Sequence, residues 1–295
     1  MHELWNLLRS SAAIIRRMEQ PSPRQLQNDE LQRAKKQAQP NSWDEGVIYE
    51  FMNDSQTVGY VIDLIGGGKL ILYTQEPDSI SEIAKETDAL FTWLGVPQGF
   101  TMILFWRHDP RSIDANTWPS KRTVNGGWAV PGSGEITVYR AEEWDRVLLH
   151  ESIHALEWDW NMPETPLPCW GLDDSANVQP ALFEAWTELF AEWMWCGWHN
   201  VPWERQRAWQ DYQATQILCR APRVWKENTN VFAYYVLKAA LAPHIGFLWV
   251  FGNGNHGPER MAILCGLVEP ELARLRQQAF QTKPEALSMR MTVGA

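Results

Sequence analysis

The stretch VLLHESIHAL, Val147 to Leu156, sets two histidines around a glutamate at the spacing H-E-x-x-H. Residues four apart share one face of an α-helix, so His150 and His154 can aim imidazole nitrogens at one ion with Glu151 beside them. Val147, Leu148, Leu149, Ser152, Ile153, Ala155 and Leu156 are all uncharged, which marks the segment as interior. Two bare imidazoles there are costly unless they are hydrogen-bonded or bound to a metal. In a site of this kind Zn²⁺ lowers the pKa of a water toward about 7, and the neighbouring carboxylate takes the proton as the water attacks a carbonyl. The chemistry expected is peptide hydrolysis with Glu151 as general base. The spacing arises by chance in on the order of one per cent of chains this long, and two hydrogen-bonded core histidines are the plain alternative.

A third ligand decides the kind of site. A third histidine in the pattern H-E-x-x-H-x-x-G-x-x-H is excluded, because Glu157 holds the glycine position and Trp160 the histidine position. An upstream cysteine ligand is excluded as well, since the first cysteine is Cys169. A later carboxylate remains, and PALFEAWTELFAEWMWCGW supplies it on a helix expected to begin at Pro180 and end near Gly197. Leu182, Phe183, Ala185, Trp186, Leu189, Phe190, Trp193 and Met194 make that helix apolar nearly all round, hence buried. Glu184, Glu188 and Glu192 form its one polar stripe, with no lysine or arginine in the helix, so a cation must come from elsewhere. The expectation is Glu184 as third ligand and Glu188 as acceptor for a ligand imidazole N–H. Glu188 as ligand with Glu192 behind it is the alternative register, and Asp173 or Asp174 is the alternative ligand. The stripe could also be solvent-facing, or protonated and hydrogen-bonded.

HESIH followed by the E-x-x-x-acid helix EAWTE resembles the gluzincin class of zinc metallopeptidases, with Glu188 standing where that class often has an aspartate. More closely, EITVYRAEEWDRVLLHESIHAL, LFEAWTELFAEWM and TNVFAYYVLKAAL look like segments of uncharacterised metallopeptidases encoded by large DNA viruses of algae and protists. This resemblance covers roughly Asn125 to Leu241. It implies a viral zinc hydrolase with a zincin-like fold, a peptide or protein substrate, and a location in the cytoplasm or within a viral particle. It also implies a substrate-binding edge strand just before the H-E-x-x-H helix. EITVYR, Glu135 to Arg140, stands there, with Ile136 and Val138 as substrate contacts, and Gly127 and Trp128 in NGGWA could line the same cleft; an inner strand and its hairpin is the plain reading of both. A donor for the developing oxyanion is expected from Tyr234 or Tyr235, with His244 and His256 as runners-up. The contrasting function is a non-catalytic zincin-like structural or interaction protein, for example a viral particle component.

Outside these segments the sequence bounds more than it identifies. The 26 Lys and Arg against 36 Asp and Glu give a net charge of −10, which removes the electrostatic basis for nucleic-acid binding. No apolar run is expected to reach membrane-spanning length, and LIGGGKLILY is broken by glycines and a lysine, so a soluble protein is expected. The N-terminus MHELWNLLRSSAAIIRRMEQ reads as an amphipathic helix and not as a signal peptide. Four well-spaced cysteines read as free thiols in a reducing compartment. Eighteen tryptophans, many between Trp158 and Trp225, read as large packing anchors, with an aromatic partner surface as the alternative.

The whole reads as an α+β chain in three parts. Residues 1–45 are the N-terminal helix and a polar connector with room for one short helix. Residues 46–140 are an upper subdomain with an antiparallel or mixed sheet, in which VIYEFMN, TVGYVIDLI, KLILYT and FTMILFWR are strands and SISEIAKETDALFTWLG a helix. Residues 141–295 are a mainly helical subdomain carrying the zinc site. Residues 46–295 are expected to form one catalytic domain with its cleft between the two halves.

Overall fold

The computed structural model describes residues 6, 10–11, 21–159, 170, 172, 182–221, 227–252 and 258–293. The fold is α+β. In chain order the elements are β1 (Pro23–Gln25), α1 (Asn28–Gln37), α2 (Val47–Asn53), β2 (Val58–Asp63), β3 (Lys69–Thr74), α3 (Ile80–Leu94), β4 (Thr101–Trp106), β5 (Ser112–Ile113) and α4 (Lys121–Val124). Then come β6 (Gly127–Ala129), β7 (Glu135–Val138), α5 (Trp144–Ala155), α6 (Leu182–His199) and α7 (Trp203–Arg220). A π-helical segment (Phe232–Leu237) leads into α8 (Lys238–Leu241), α9 (Ile245–Gly252), α10 (Pro258–Phe280) and β8 (Leu287–Ser288).

The chain divides into two compact units. Unit 1 comprises Met1–Pro110, Asn125–Glu157 and Gly197–Asn200, and it contains a six-stranded mixed sheet in the order β1-β2-β3-β4-β7-β6. β3, β4 and β7 run parallel, with Leu70 beside Met102 and Met102 beside Ile136; the other pairings are antiparallel. A parallel neighbour needs a crossover, and α3 provides the one between β3 and β4. It stops at Gly95, whose φ of 64° is open to glycine without strain, while Val96 N–H closes back on the Phe91 carbonyl at 3.0 Å. One face of the central strands is fully buried through Leu70, Leu72, Met102, Leu104, Ile136 and Val138, and on the other Ile71, Tyr73, Ile103 and Phe105 pack in a second apolar cluster, as on buried parallel strands.

Two readings of the N-terminal third are corrected. VIYEFMN is helix α2 and not a strand, because Val47, Ile48, Phe51 and Met52 repeat at helical spacing into a cluster with Tyr73, Phe105 and Tyr139. The polar connector holds the short exposed helix expected of it, α1, with a capping box between Gln27 and Glu30, but it also supplies a strand, β1, that extends the sheet beside β2. The expected N-terminal helix lies almost wholly outside the described residues, although Asn6, Ser10 and Ser11 are helical. The expected boundary after Arg140 also shifts, because α5 packs on β6 and β7 in unit 1.

Unit 2 comprises Arg111–Val124, Trp158–Cys196 and Val201–Ala295 and is mainly helical, with the short β5–β8 ladder as its sheet. Leu264, Val268, Leu272 and Leu275 form the buried stripe of α10. Trp186, Trp193 and Trp195 are buried, which bears out the packing role of these tryptophans. Phe232–Gly252 is one run long and apolar enough to cross a membrane by composition, contrary to the sequence reading, and 61% of its window is buried inside the fold. Cys196 and Cys219 are free, but Cys265 is disulfide-bonded, so the expectation of four free thiols is corrected. Pairing between distant cysteines leaves no mark in their spacing.

Candidate metal centre

α5 carries the H-E-x-x-H residues in unit 1. Asp145 in its first turn accepts a hydrogen bond from His199 Nε2 at 2.5 Å, and Leu156 N–H closes the last turn on the Ser152 carbonyl at 2.9 Å. One helical turn apart, His150 and His154 bring their Nε2 atoms to 3.0 Å, with ring planes inclined at 77°. His150 and Glu151 are buried and His154 is half-buried.

Gly127 on β6 lies directly against this helix. A Cβ built there would fall 2.6 Å from the Thr137 carbonyl oxygen, 2.8 Å from Val147 Cγ1 and 3.1 Å from Glu151 Cγ. Glycine is therefore what lets the strand run beside the glutamate.

α6 carries the glutamate stripe. Glu184 is half-buried, and its Oε2 accepts a hydrogen bond from Tyr234 Oη at 2.9 Å. His150, His154 and Glu184 each offer a ligand atom, and these atoms all lie within 4.8 Å of one another. Ligand atoms about 2.1 Å from a tetrahedral zinc ion stand roughly 3.3 Å apart. The imidazole pair already matches that separation, and two nitrogens with one carboxylate oxygen is a donor set that divalent metals such as zinc and iron take.

The other end of the stripe has a different explanation. Glu192 and Lys238 are both fully buried and paired, and Glu192 Oε2 also accepts from Gln206 Nε2 at 2.7 Å and Gln210 Nε2 at 2.5 Å. Burial pushes the Glu192 carboxyl up to about 7 against the pull of Lys238, and the neighbouring Glu188 adds to the rise. The expectation that zinc and its histidines neutralise the whole stripe is corrected for Glu192, whose cation is a lysine 46 residues away. A signal was present: Lys238 is the one charge in NVFAYYVLKAAL. Glu188 is buried between these two sites in sequence.

The two tyrosines separate. Tyr235 is fully buried with its hydroxyl donated to the Met289 carbonyl at 2.8 Å, so it is removed from the catalytic candidates. Tyr234 is half-buried, and its hydroxyl reaches Glu184. His244 sits on the turn Ala242–His244. His256, Asp173, Asp174 and Pro180 lie outside the described residues.

The expected edge strand is also corrected. β7 is an inner strand between β4 and β6, and Ile136 and Val138 are 0% exposed, so neither side chain is available to a substrate. The sheet ends on β6 among the described residues. Tyr139 N–H donates to the Gly126 carbonyl at 2.9 Å, and with Trp128 opposite Thr137 this register turns the backbone groups of Gly127 and Ala129 away from β7.

Compared with known proteins, the chain matches no family model, no curated protein and no solved structure.

Proposed function

We propose that the chain is a zinc metallopeptidase of the gluzincin type with a zincin-like fold, and that His150, His154 and Glu184 hold the metal. The observation that carries this reading is the gathering of those three ligand atoms within 4.8 Å of one another, on a helix that also bears Glu151 and on a second, nearly all-apolar helix. Zinc bound there would supply a Lewis acid that polarises a carbonyl and makes a water acidic near neutral pH.

The remaining work falls to side chains and backbone. Glu151, buried beside the histidines, takes the proton of the attacking water and returns it to the departing amine. The Tyr234 hydroxyl, poised on Glu184, donates to the carbonyl oxygen as it gains charge. Glu188, one turn beyond Glu184, orients a ligand imidazole. An extended peptide adds to the sheet along Gly127–Ala129, where backbone groups face away from β7 and Gly127 lies against Glu151.

The test is metal content together with cleavage. The purified chain is expected to hold about one zinc and to cut members of an unbiased peptide library. Glu151→Gln keeps the zinc and loses cleavage, and Tyr234→Phe keeps the zinc and lowers kcat about a hundredfold. His150→Ala and Glu184→Ala lose the metal. Zinc retained with no peptide cut under any condition overturns the enzyme and favours an interaction protein. Zinc affinity unchanged by both ligand substitutions overturns the site.

A further inference from the structure

Helix α7 buries a row of glutamines. Gln206, Gln210, Gln213 and Gln216 fall at i, i+4, i+7 and i+10, and none is more than 2% exposed. A buried primary amide needs partners for two donor hydrogens and an acceptor oxygen, so such a row needs a matched polar surface. The extended segment Glu285–Val293 meets Gln206, Gln213 and Gln216, while Gln210 donates to Glu192 instead. Gln213 Nε2 donates to the carbonyls of Ser288 at 2.9 Å and Arg290 at 2.6 Å, and Gln206 Nε2 donates to Met291 at 2.7 Å. Trp209 Nε1 adds a bond to the Arg290 carbonyl at 3.0 Å, and Tyr235 binds that of Met289. In return the Gln206 oxygen accepts from Val293 N–H at 2.9 Å and the Gln216 oxygen from Glu285 N–H at 3.2 Å.

Side chains alternate from Leu287 to Met291, and Thr292 after them is buried too. Leu287, Met289 and Met291 are at most 1% exposed, and Ser288 and Arg290 between them are half-buried. Among the described residues, conventional strand pairing covers Ser112 with Ser288 and Ile113 with Leu287, plus Met289 N–H on the Arg111 carbonyl. Side chains of the helix therefore read five backbone groups of the segment, the Ser288, Arg290 and Met291 carbonyls and the Glu285 and Val293 N–H groups, in a groove that takes Leu287, Met289 and Met291. Gln281, Lys283 and Pro284, which join the segment to α10, are exposed.

We propose that this face of unit 2 is a peptide-binding groove that the chain fills with its own Glu285–Val293 segment. The ligand class it accepts is an extended peptide with large unbranched or γ-branched apolar side chains at alternate positions, recognised through its carbonyls. The groove stands independently of any metal chemistry. It also completes the surroundings of a buried charge, because the same Gln206 nitrogen serves Glu192 and Met291.

A nicked full-length chain tests this. A specific protease sequence inserted between Thr282 and Lys283 is cut after folding, and the products are run on gel filtration with and without a labelled synthetic peptide of residues 285–293. The severed segment is expected to stay with the body and to exchange for the labelled peptide. An ester replacing the Arg290–Met291 amide weakens the carbonyl that Gln213 and Trp209 share, and lowers peptide affinity about tenfold. A peptide with aspartate in place of Leu287, Met289 and Met291 does not bind. Three results overturn the proposal: a body that stays folded but takes up no peptide, a body that unfolds and is not restored by saturating peptide, or equal binding of the ester and aspartate peptides.

Discussion

Gly127 shows how one missing methyl group can matter at the candidate site. Alanine there meets a backbone carbonyl at 2.6 Å, which cannot give way as a side chain can, and it also crowds Glu151. Overpacking of this kind costs about 1–3 kcal/mol. Gly127→Ala is expected to lower the unfolding free energy read from a urea melt by that amount and to reduce peptide cleavage further than the stability loss explains. Gly126→Ala is the control, because the three atoms nearest its Cβ all belong to Val147, with Cγ2 at 2.8 Å. Equal effects of the two substitutions on cleavage would separate Gly127 from the chemistry. At this scale the sequence was informative where spacing encodes geometry. His150, Glu151 and His154 are adjacent on a helix by periodicity alone. Lys238 could not be matched to Glu192 in this way, because the contact joins residues 46 apart and no period connects them.

At the scale of elements, α3 ends on a residue chosen for its backbone. Nothing lies within 4 Å of a Cβ at Gly95, so Gly95→Ala carries only the conformational penalty of a positive φ. The expected cost is about 1 kcal/mol, read as a fall in thermal midpoint with cleavage unchanged. Long periodic elements such as α3 and α6, and the strands β2, β3 and β4, were legible because their apolar pattern extends over many residues. VIYEFMN was not, since seven mostly apolar residues satisfy a strand and a helix equally, and only the cluster around Tyr73 and Phe105 decides. The same limit hid which strand forms the sheet edge. EITV has the composition of a strand in either place, and the pairing with β4 makes it an inner one. The burial of the α7 glutamines carries no mark in the sequence, because it is set by a segment more than 60 residues further on.

For the whole molecule, the buried Glu192 makes stability depend on pH. Its carboxyl is raised from 4.5 to about 7 on folding, so the folded chain binds the proton more tightly than the unfolded one. Stability from this group is present below about pH 4.5 and is lost as pH rises through about 7, by an amount on the order of 3 kcal/mol. The unfolding midpoint is expected to fall between pH 5 and pH 8. The double variant Glu192→Gln/Lys238→Met removes that part of the fall, whereas Lys238→Met alone is most destabilising at pH 8, where it strands a buried charge. A midpoint profile unchanged in the double variant would locate the pH dependence elsewhere.

The ladder between β5 and β8 joins Ser112 to Ser288. Contacts so distant along the chain are closed late, since loop entropy must be met before they form. During synthesis, residues that pair with this segment emerge long before it does, and Gln206, Gln213 and Tyr235 wait for carbonyls not yet translated. Unit 2 therefore completes its core only once residue 293 has cleared the ribosome. Until then it presents a polar-lined opening that a chaperone, or the same segment of a neighbouring nascent chain, is able to enter.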